Sequence, residues 1–193
     1  NLVNSSITQQ GVSGYNSVLS QQAVCGENIY LEVSYVHHKA KIGNNVLLSY
    51  VDIHDEAIPD DVVVHGLKLK DGRVVVRIFG IEDNPKEGKA GSFLGTTLED
   101  FLIKNSIRPE EIWEGDEDKL WQARLYPVCE NVSGGVQAAL NIYAMARGGG
   151  DVESWRAALR QSLCAGFNEA DSEALISWDR RMLELVMMDR LAK

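Results

Sequence analysis

The first third of the chain carries an aliphatic residue at nearly every sixth position. These positions are Val12, Val18, Val24, Val36, Ile42 and Leu48, and Tyr30 fills the one gap. A period of six excludes an α-helix, whose apolar stripe returns every three or four residues, and it exceeds the two-residue alternation of a simple strand. The pattern is typical of hexapeptide repeats, in which three blocks complete one turn of a parallel β-helix.

The repeat is predicted to end near Asp52. His54 and Asp60 stand at the next two steps, and both are poor core residues, so the segment between them is predicted to be the exit from the repeat. Seven blocks make just over two turns, which bury little apolar surface and expose the ends of the parallel sheets. The β-helix therefore needs caps from the rest of the chain, or further coils before it.

The next segment predicts a β-hairpin. Asp71-Gly72 lies between the apolar-rich runs 67–70 and 73–78, and glycine supplies the positive φ that a type I′ turn requires. A polar stretch with two glycines follows at 82–91 and is typical of a loop.

From Thr97 onward the pattern is mainly helical. Thr97 is predicted to cap one helix, and Pro109 to begin another short one. Three further apolar faces consist of Val136, Leu140 and Tyr143, of Val152, Trp155, Leu159 and Leu163 behind an Asp151 cap, and of Leu175, Trp178, Met182, Leu185 and Met188. The predicted fold class is α+β, with a short β-helix at 1–66, a hairpin and loop at 67–95, and a mainly α-helical subdomain at 96–193.

Composition and charge narrow the range of partners. The 193 residues are 45% hydrophobic and 24% charged, as in an ordinary folded protein. The net charge of −9 argues against nucleic acid and anionic membranes, which are bound by clustered Lys and Arg. No apolar run approaches the roughly 20 residues of a membrane span, and no signal peptide opens the chain. We therefore expect a cytoplasmic protein.

The cysteines and the chain ends add two expectations. Cys25, Cys129 and Cys164 are widely spaced and odd in number, which fits neither a disulfide framework nor a zinc motif, so we expect them to be reduced. The chain begins at Asn1 without Met and ends at Lys193 within a helical pattern, so we expect a portion of a longer protein.

The histidines provide two chemical hypotheses. Because a hexapeptide acyltransferase uses a β-helix histidine as general base, usually in a trimer, His37 and His38 are candidates for that role, although the low coil count favours ordinary polar surface. The second hypothesis is a metal site, but its residues lack a recognised ligand spacing. They are Asp52, His54, Asp55, Asp60, Asp61 and His65. We predict no catalytic residue and no metal ligand in this chain.

Two strings stand apart from the general composition. They are Phe79 to Lys86 (FGIEDNPK) and Leu120 to Val128 (LWQARLYPV), and a Trp155-Arg156 helix follows them. In this order, after a hexapeptide β-helix, they resemble the fucokinase and fucose-1-phosphate guanylyltransferase (GDP-fucose pyrophosphorylase) family. The resemblance covers nearly the whole chain.

The resemblance implies a left-handed β-helix behind a nucleotidyltransferase domain, and in fucokinases and bifunctional enzymes a kinase domain follows. The glycine-rich nucleotide loop and the kinase phosphate loop have no matching positions here. The implied role is a non-catalytic portion that positions or oligomerises the catalytic domains, with no cofactor of its own. The implied parent enzyme transfers a nucleotide to fucose-1-phosphate, or phosphorylates fucose, and requires Mg²⁺.

Four residues are candidate contacts to a sugar phosphate or a neighbouring domain. Asp83, Asn84, Lys86 and Arg124 combine charge or amide groups with loop positions beside the predicted β-helix. The structural alternative is that Asn84-Pro85 forms a turn and that Arg124 is a buried pairing group. For the whole chain two alternatives stay open: a free-standing hexapeptide acyltransferase, and a non-enzymatic module that binds a partner through the β-helix edge and the helix at 175–188.

Overall fold

A computed structural model describes residue 7 and residues 9–191, so the first residues of the predicted 1–66 segment and the last two of the 96–193 segment lie outside the description. The chain folds as the predicted parallel β-helix, and each of its turns contributes one strand to each of three faces. Its strands are β1 (Val12–Tyr15), β2 (Val18–Leu19), β3 (Val24–Cys25), β4 (Ile29–Glu32), β5 (Tyr35–Val36), β6 (Lys41–Ile42), β7 (Val46–Ser49), β8 (Asp52–Ile53), β9 (Ala57–Ile58) and β10 (Val62–Lys68). The first face contains β1, β4, β7 and β10, the second β2, β5 and β8, and the third β3, β6 and β9.

The first two coil steps are one residue shorter than three hexapeptides, and the last is two residues shorter. Val12, Ile29 and Val46 occupy equivalent positions 17 residues apart, and the last step, from Leu47 to Val63, is 16 residues. A strict period of six therefore drifts out of register. Val24 and Tyr30, which the period assigned to the core, are 62% and 41% exposed. The interior is filled by Ile29, Leu31, Val36, Ile42, Leu48, Ile53 and Ile58.

The repeat continues past Asp52, contrary to the sequence prediction. Strands β8 and β9 complete the third turn, and the buried Ile58 belongs to the core. The carboxylate of Glu56, 6% exposed, accepts hydrogen bonds from the backbone N–H groups of His54 and Asp55 at 2.7 and 3.2 Å. Polar residues thus stand at a corner of the coil, where their side chains satisfy backbone donors.

One corner of the β-helix is held by a ladder of side chains. Asn28, Asn45 and Asp61 adopt φ values of 58°, 54° and 59°, a left-handed conformation that Asn and Asp tolerate better than most residues. Asn28 Nδ2 donates to Asn45 Oδ1 at 3.0 Å, and Asn45 Nδ2 donates to Asp61 Oδ1 at 2.7 Å. The polar residues of the repeat therefore stabilise the stacking of coils.

The predicted hairpin forms, with a different turn. Strand β10 pairs antiparallel with β11 (Val74–Gly80), and the first face grows to seven strands through β14 (Tyr126–Cys129) and β15 (Arg160–Gln161). Gly72 has φ 87°, but Asp71 is not among the residues with positive φ, which a type I′ turn needs at both central positions. Gly72 N–H donates to Leu69 C=O at 2.9 Å, which closes a longer loop of residues 70–72.

Within the described residues, five helices complete the α+β fold. They are α1 (Leu98–Lys104), α2 (Val132–Ala146), α3 (Val152–Ala157), α4 (Leu163–Asn168) and α5 (Ser172–Leu191), with a small hairpin of β12 (Ser92–Phe93) and β13 (Thr96–Thr97) and two 3-10 turns, Pro109–Glu111 and Leu120–Gln122. The predicted caps are confirmed, since Thr97 Oγ1 accepts from Asp100 N at 3.0 Å and Asp151 Oδ1 from Ser154 N at 2.9 Å.

The helix predicted from Val152 to Leu163 is interrupted. It ends at Ala157, and Leu159, predicted to face the core, is 59% exposed. The chain then turns extended because β15 pairs with β14, and Val128 N–H donates to Leu159 C=O at 2.8 Å. A tertiary strand pairing overrides the local helical pattern here.

Helix α5 packs on the second face of the β-helix. Met182 and Val186 form a cluster with Val18 and Val33, which point outward from the coils. Met188, predicted to share this apolar face, is 66% exposed. Among the helices of the described residues, α5 included, none combines the length and hydropathy that crossing a membrane requires.

Candidate functional site

The two strings that set this sequence apart meet in the fold. Trp121 N–H donates to Pro85 C=O at 2.8 Å, and Leu120 N–H donates to Glu87 C=O at 2.9 Å. Between them lies a pocket of about 270 Å³, which we call the aromatic pocket. It is lined by Val63, His65, Arg77, Phe79, Asp83, Pro85, Leu120, Trp121, Leu163 and Phe167.

A buried arginine forms one wall of the aromatic pocket. Arg77 is 1% exposed, and its Nη2 lies 2.5 Å from His65 Nδ1, on the facing strand of the hairpin. Its guanidinium carbon lies 4.5 Å from the centre of the Phe167 ring, and Nε has no partner among the described residues. The rings of Trp121 and Phe167 stack with centres 5.8 Å apart. The pocket is suited to a flat or apolar group that packs against aromatic rings.

Burial and charge set the protonation states of His65 and Arg77. Burial, and secondly the charge of Arg77, lowers the pKa of His65 to about 3. Burial of the guanidinium lowers the pKa of Arg77 to about 10. His65 is therefore neutral and accepts a hydrogen bond from a charged Arg77 at physiological pH. The sequence analysis did not predict that His65 and Arg77 form a pair. An antiparallel hairpin centred on residue 71 places these two positions opposite each other.

Asp83 uses both carboxylate oxygens inside the fold. Oδ2 accepts from the N–H groups of Gly80 and Leu94 at 2.6 and 2.9 Å, and Oδ1 accepts from Ser92 Oγ at 2.8 Å. These bonds tie the end of β11 to the small hairpin of β12 and β13. The Asp83 side chain, at the edge of the aromatic pocket, thus stabilises the connection between β11 and the small hairpin.

The neighbouring candidates Asn84 and Lys86 share this turn. Asn84 Oδ1 accepts from Lys86 N–H at 3.1 Å, and its Nδ2 donates to Glu87 Oε1 at 3.1 Å. Both Asn84 and Lys86 are exposed. Asp83, Asn84 and Lys86 therefore lie together in one turn.

Arg124 lies in a different place. It lines an open groove of about 490 Å³ with two other arginines, Arg73 and Arg160, and with acidic residues that include Glu114. Arg124 forms an ion pair with Glu114, and its side chain is 36% exposed. The four candidate residues therefore do not converge on one site, because Arg124 borders this groove and Asp83 borders the aromatic pocket.

A second constellation occupies the cleft between the β-helix and α5. We call His37, Asp52 and His54 the histidine cluster. His37 Nε2 lies 2.6 Å from Asp52 Oδ1, and His54 Nε2 lies 3.6 Å from Asp52 Oδ2. The imidazole rings are stacked with centres 4.2 Å apart. The acyltransferase hypothesis assigns the general base to His37 or His38, and of these two His37 has a carboxylate partner; the hypothesis stays a prediction.

The coil length explains the histidine cluster. Two residues 17 positions apart fall on adjacent coils, so His54 lies directly beside His37, whereas His38 points away and is exposed. The acyltransferase hypothesis named His37, and the metal hypothesis named Asp52 and His54. The two were separate because a period of six does not show the spacing of 17 residues. Other members of that group lie elsewhere, since Asp60 and Asp61 hydrogen-bond to the asparagine corner.

The architecture defines a protein built on a parallel β-helix, with the two strings at the junction to its helical half. The sequence model of the fucose pyrophosphorylase domain matches residues 2–131. Since this match spans more than half of the chain, the chain belongs to the fucose pyrophosphorylase family, a family of sugar-nucleotide enzymes. No curated protein and no solved structure matches the chain. The matched segment contains both strings and ends where α2 begins.

The Mg²⁺ that the family reaction implies does not fit the histidine cluster. Mg²⁺ prefers oxygen ligands and retains several waters, whereas two of the three donors in this cluster are imidazole nitrogens. No catalytic step is therefore assigned to Mg²⁺ in this chain.

Proposed function

We propose that this chain is the β-helix and helical portion of a fucose-1-phosphate guanylyltransferase or a fucokinase-like enzyme. Its role is to position or oligomerise catalytic domains that lie outside these residues: a nucleotidyltransferase domain before it and, in the kinase version, a kinase domain after it. The parent reaction is attack of fucose-1-phosphate on the α-phosphate of GTP with release of pyrophosphate, or phosphoryl transfer from ATP to fucose, with Mg²⁺ in those domains. An acidic chain with three free cysteines suits a cytoplasmic location.

A second apolar stripe on α5 carries this proposal. Met182 and Val186 face the β-helix, and a second side of the helix carries exposed apolar side chains. Its exposed side chains are Ile176, Leu183, Met187 and Leu191, at spacings of seven and four residues that place them on one side of a helix. A helix with a second, exposed apolar stripe is expected to pack against a second surface. The β-helix supplies one of them, and we assign the other to a neighbouring domain or subunit.

The junction residues support a structural role as well. The carboxylate of Asp83 is engaged by three internal donors, and the two strings hold each other through backbone hydrogen bonds. These contacts engage the strings inside the fold, which supports a structural role for them.

Turnover tests the non-catalytic assignment. The purified chain is mixed with GTP, fucose-1-phosphate and Mg²⁺, and pyrophosphate release is followed, with an intact fucose-1-phosphate guanylyltransferase as the positive control. We expect release no faster than in buffer. Enzyme-proportional release of pyrophosphate by the chain alone would contradict the proposal.

Light scattering tests the role of α5. We expect the mass of the chain to rise with concentration above 21.4 kDa, and the double variant Leu183→Ser/Met187→Ser to remain monomeric. Val24→Ser is the matched control, because Val24 is as exposed as Met187 but lies on the third face of the β-helix. Equal association of all three proteins would show that the stripe is not a contact surface.

A further inference from the structure

We propose that the histidine cluster is a binding site for a divalent transition-metal ion of the zinc type. The ligand atoms of His37, Asp52 and His54 all lie within 4.8 Å of one another, and the three side chains project from adjacent coils of the second face. This site is independent of the fucose chemistry proposed above, and neither proposal depends on the other.

The backbone of the β-helix prepares the arrangement. Strands β5 and β8 pair in parallel with Tyr35 opposite Asp52 and Val36 opposite Ile53, and His37 N–H donates to Ile53 C=O at 2.9 Å. This register places His37 beside His54. Because Asp52 and His54 are two residues apart in an extended segment, both point outward from the same face.

The donor set selects the class of metal. Two imidazole nitrogens and one carboxylate oxygen are ligands that Zn²⁺ and its neighbours in the first transition row prefer, whereas Mg²⁺ and Ca²⁺ prefer oxygen alone. Tetrahedral zinc with bonds near 2.0 Å needs its ligand atoms about 3.3 Å apart. His37 Nε2 and His54 Nε2 lie 2.6 and 3.6 Å from different oxygens of Asp52, and one ligand atom from each of the three residues lies within 4.8 Å of the others, so the side chains must rotate to bring the donors to coordination distance.

The surroundings leave one side of the site open. The side chains of His37, Asp52 and His54 are 26%, 38% and 51% exposed. They border a cleft of about 470 Å³ whose other walls include Lys68, Trp178 and Arg181. Three protein ligands with an open fourth position form the type of site that retains a water or an exogenous ligand on the metal. The two basic side chains in the cleft would favour an anionic fourth ligand.

Tyr35 supports the site from the side. Its ring stacks on that of His37 with centres 4.0 Å apart and an interplanar angle of 12°. The row of three stacked rings, Tyr35, His37 and His54, keeps both imidazoles close to Asp52. Ligands that are already close together lose less conformational freedom when the ion binds.

Metal titration of the chain without a polyhistidine tag tests the proposal. After dialysis against a chelator, Zn²⁺ is added in a calorimeter and Co²⁺ in a spectrophotometer. We expect saturable 1:1 binding of Zn²⁺, a visible Co²⁺ spectrum of four-coordinate type, a higher melting temperature with Zn²⁺ and no saturable heat with Mg²⁺.

Single substitutions locate the ion. His37→Ala and His54→Ala should each weaken Zn²⁺ binding roughly tenfold or more, and Asp52→Asn should also weaken it. His38→Ala is the matched control, since His38 adjoins the cluster in sequence but lies outside it. All four positions are exposed or half-buried, so the variants should keep the melting temperature of the metal-free parent.

Three results would overturn the proposal. The first is the absence of saturable Zn²⁺ binding, and the second is binding that survives in both His37→Ala and His54→Ala. The third is an equal loss in His38→Ala, which would show that surface histidines bind the ion without a built site. Because pyrophosphate release is measured separately, none of these results bears on the domain-positioning role.

Discussion

The β-helix and the helical half of this protein are held together in different ways. In the β-helix every coil repeats the contacts of the coil before it, as in the column Val12, Ile29 and Val46 and in the ladder of Asn28 and Asn45. In the helical half each anchor is used once. A contact that repeats can be predicted from the period of the sequence, whereas a contact that occurs once is visible only in the structure.

Trp155 and Arg160 illustrate the second kind of contact. Trp155 is 1% exposed, and its indole N–H donates to Leu125 C=O at 2.8 Å. The guanidinium of Arg160 lies 4.0 Å from the centre of that ring and donates to the carbonyl oxygens of five residues. One aromatic ring and one cation thus join three segments, at Glu111, at residues 124–125 and at residues 155–160.

Trp155→Ala should give the largest effect. Loss of a fully buried indole leaves a cavity and an unpaired carbonyl, and we expect the free energy of unfolding to fall by about 4 kcal/mol in chemical denaturation. Val24→Ala on the β-helix, where the side chain is 62% exposed, should change it by less than about 0.5 kcal/mol. Similar losses in the two variants would contradict the view of Trp155 as a unique anchor.

Acidification should lower the free energy of unfolding through the buried pair His65 and Arg77. His65 is held neutral by a folded-state pKa of about 3, whereas in the unfolded chain its pKa is near the ordinary histidine value of 6.5. The unfolded state therefore binds more protons below pH 6.5, and stability falls as the pH drops from about 6.5 towards 3. We expect a loss of up to about 3 kcal/mol between pH 7 and pH 4.

The variant His65→Asn isolates this contribution. Its side-chain oxygen can still accept from Arg77, but it does not titrate, so the pH dependence of unfolding in that window should become shallower by the same amount. An unchanged slope would mean that other groups cause the acid sensitivity.

Asp83→Ala should have an intermediate effect. Removing the carboxylate leaves the N–H groups of Gly80 and Leu94 without their acceptor, and we expect a loss of about 2 kcal/mol. Lys86→Ala in the same turn is the control and should be neutral within about 0.5 kcal/mol, since Lys86 is exposed. If Asp83→Ala unfolds like the parent protein, the junction does not depend on this carboxylate.

Asn45→Ala should have the smallest effect. The substitution removes two rungs of the ladder and places alanine at φ 54°, for an expected loss of about 1 kcal/mol. Asn45→Gly also removes the rungs but relieves the backbone, so it should lose less than Asn45→Ala. The reverse order, measured by thermal unfolding, would show that backbone strain is not important at this corner.

The sequence predicts the β-helix because its pattern is periodic, but not the length of its coil. Steps of five and six residues look alike over a few blocks, so a period of six misplaces Val24 and Tyr30 and ends the repeat at Asp52. The true spacing of 17 would have aligned His37 with His54. A repeat of 17 residues would therefore have predicted the histidine cluster.

In the helical half, the sequence predicts the features that local residues determine, such as helix caps. It does not predict the features that pairing with a distant strand determines. The caps Thr97 and Asp151 act through their own turn, and both were found. Leu159 continues a helical pattern but is drawn into an extended segment by β14. The predicted two-residue turn would have paired Lys70 with Arg73, and the longer loop instead sets His65 opposite Arg77, so the buried pair depends on a detail of one turn.

The central claim is that this chain positions catalytic domains and does not itself hold the substrate site. Its most direct test is calorimetric titration with fucose-1-phosphate, GTP and GDP-fucose in the presence of Mg²⁺. The account predicts no saturable heat for any of the three, while an intact guanylyltransferase binds its substrates in the same buffer. Saturable 1:1 binding of fucose-1-phosphate or GDP-fucose that is lost in Asn84→Ala or Arg124→Ala, with stability unchanged, would contradict it and place part of the sugar site in this chain.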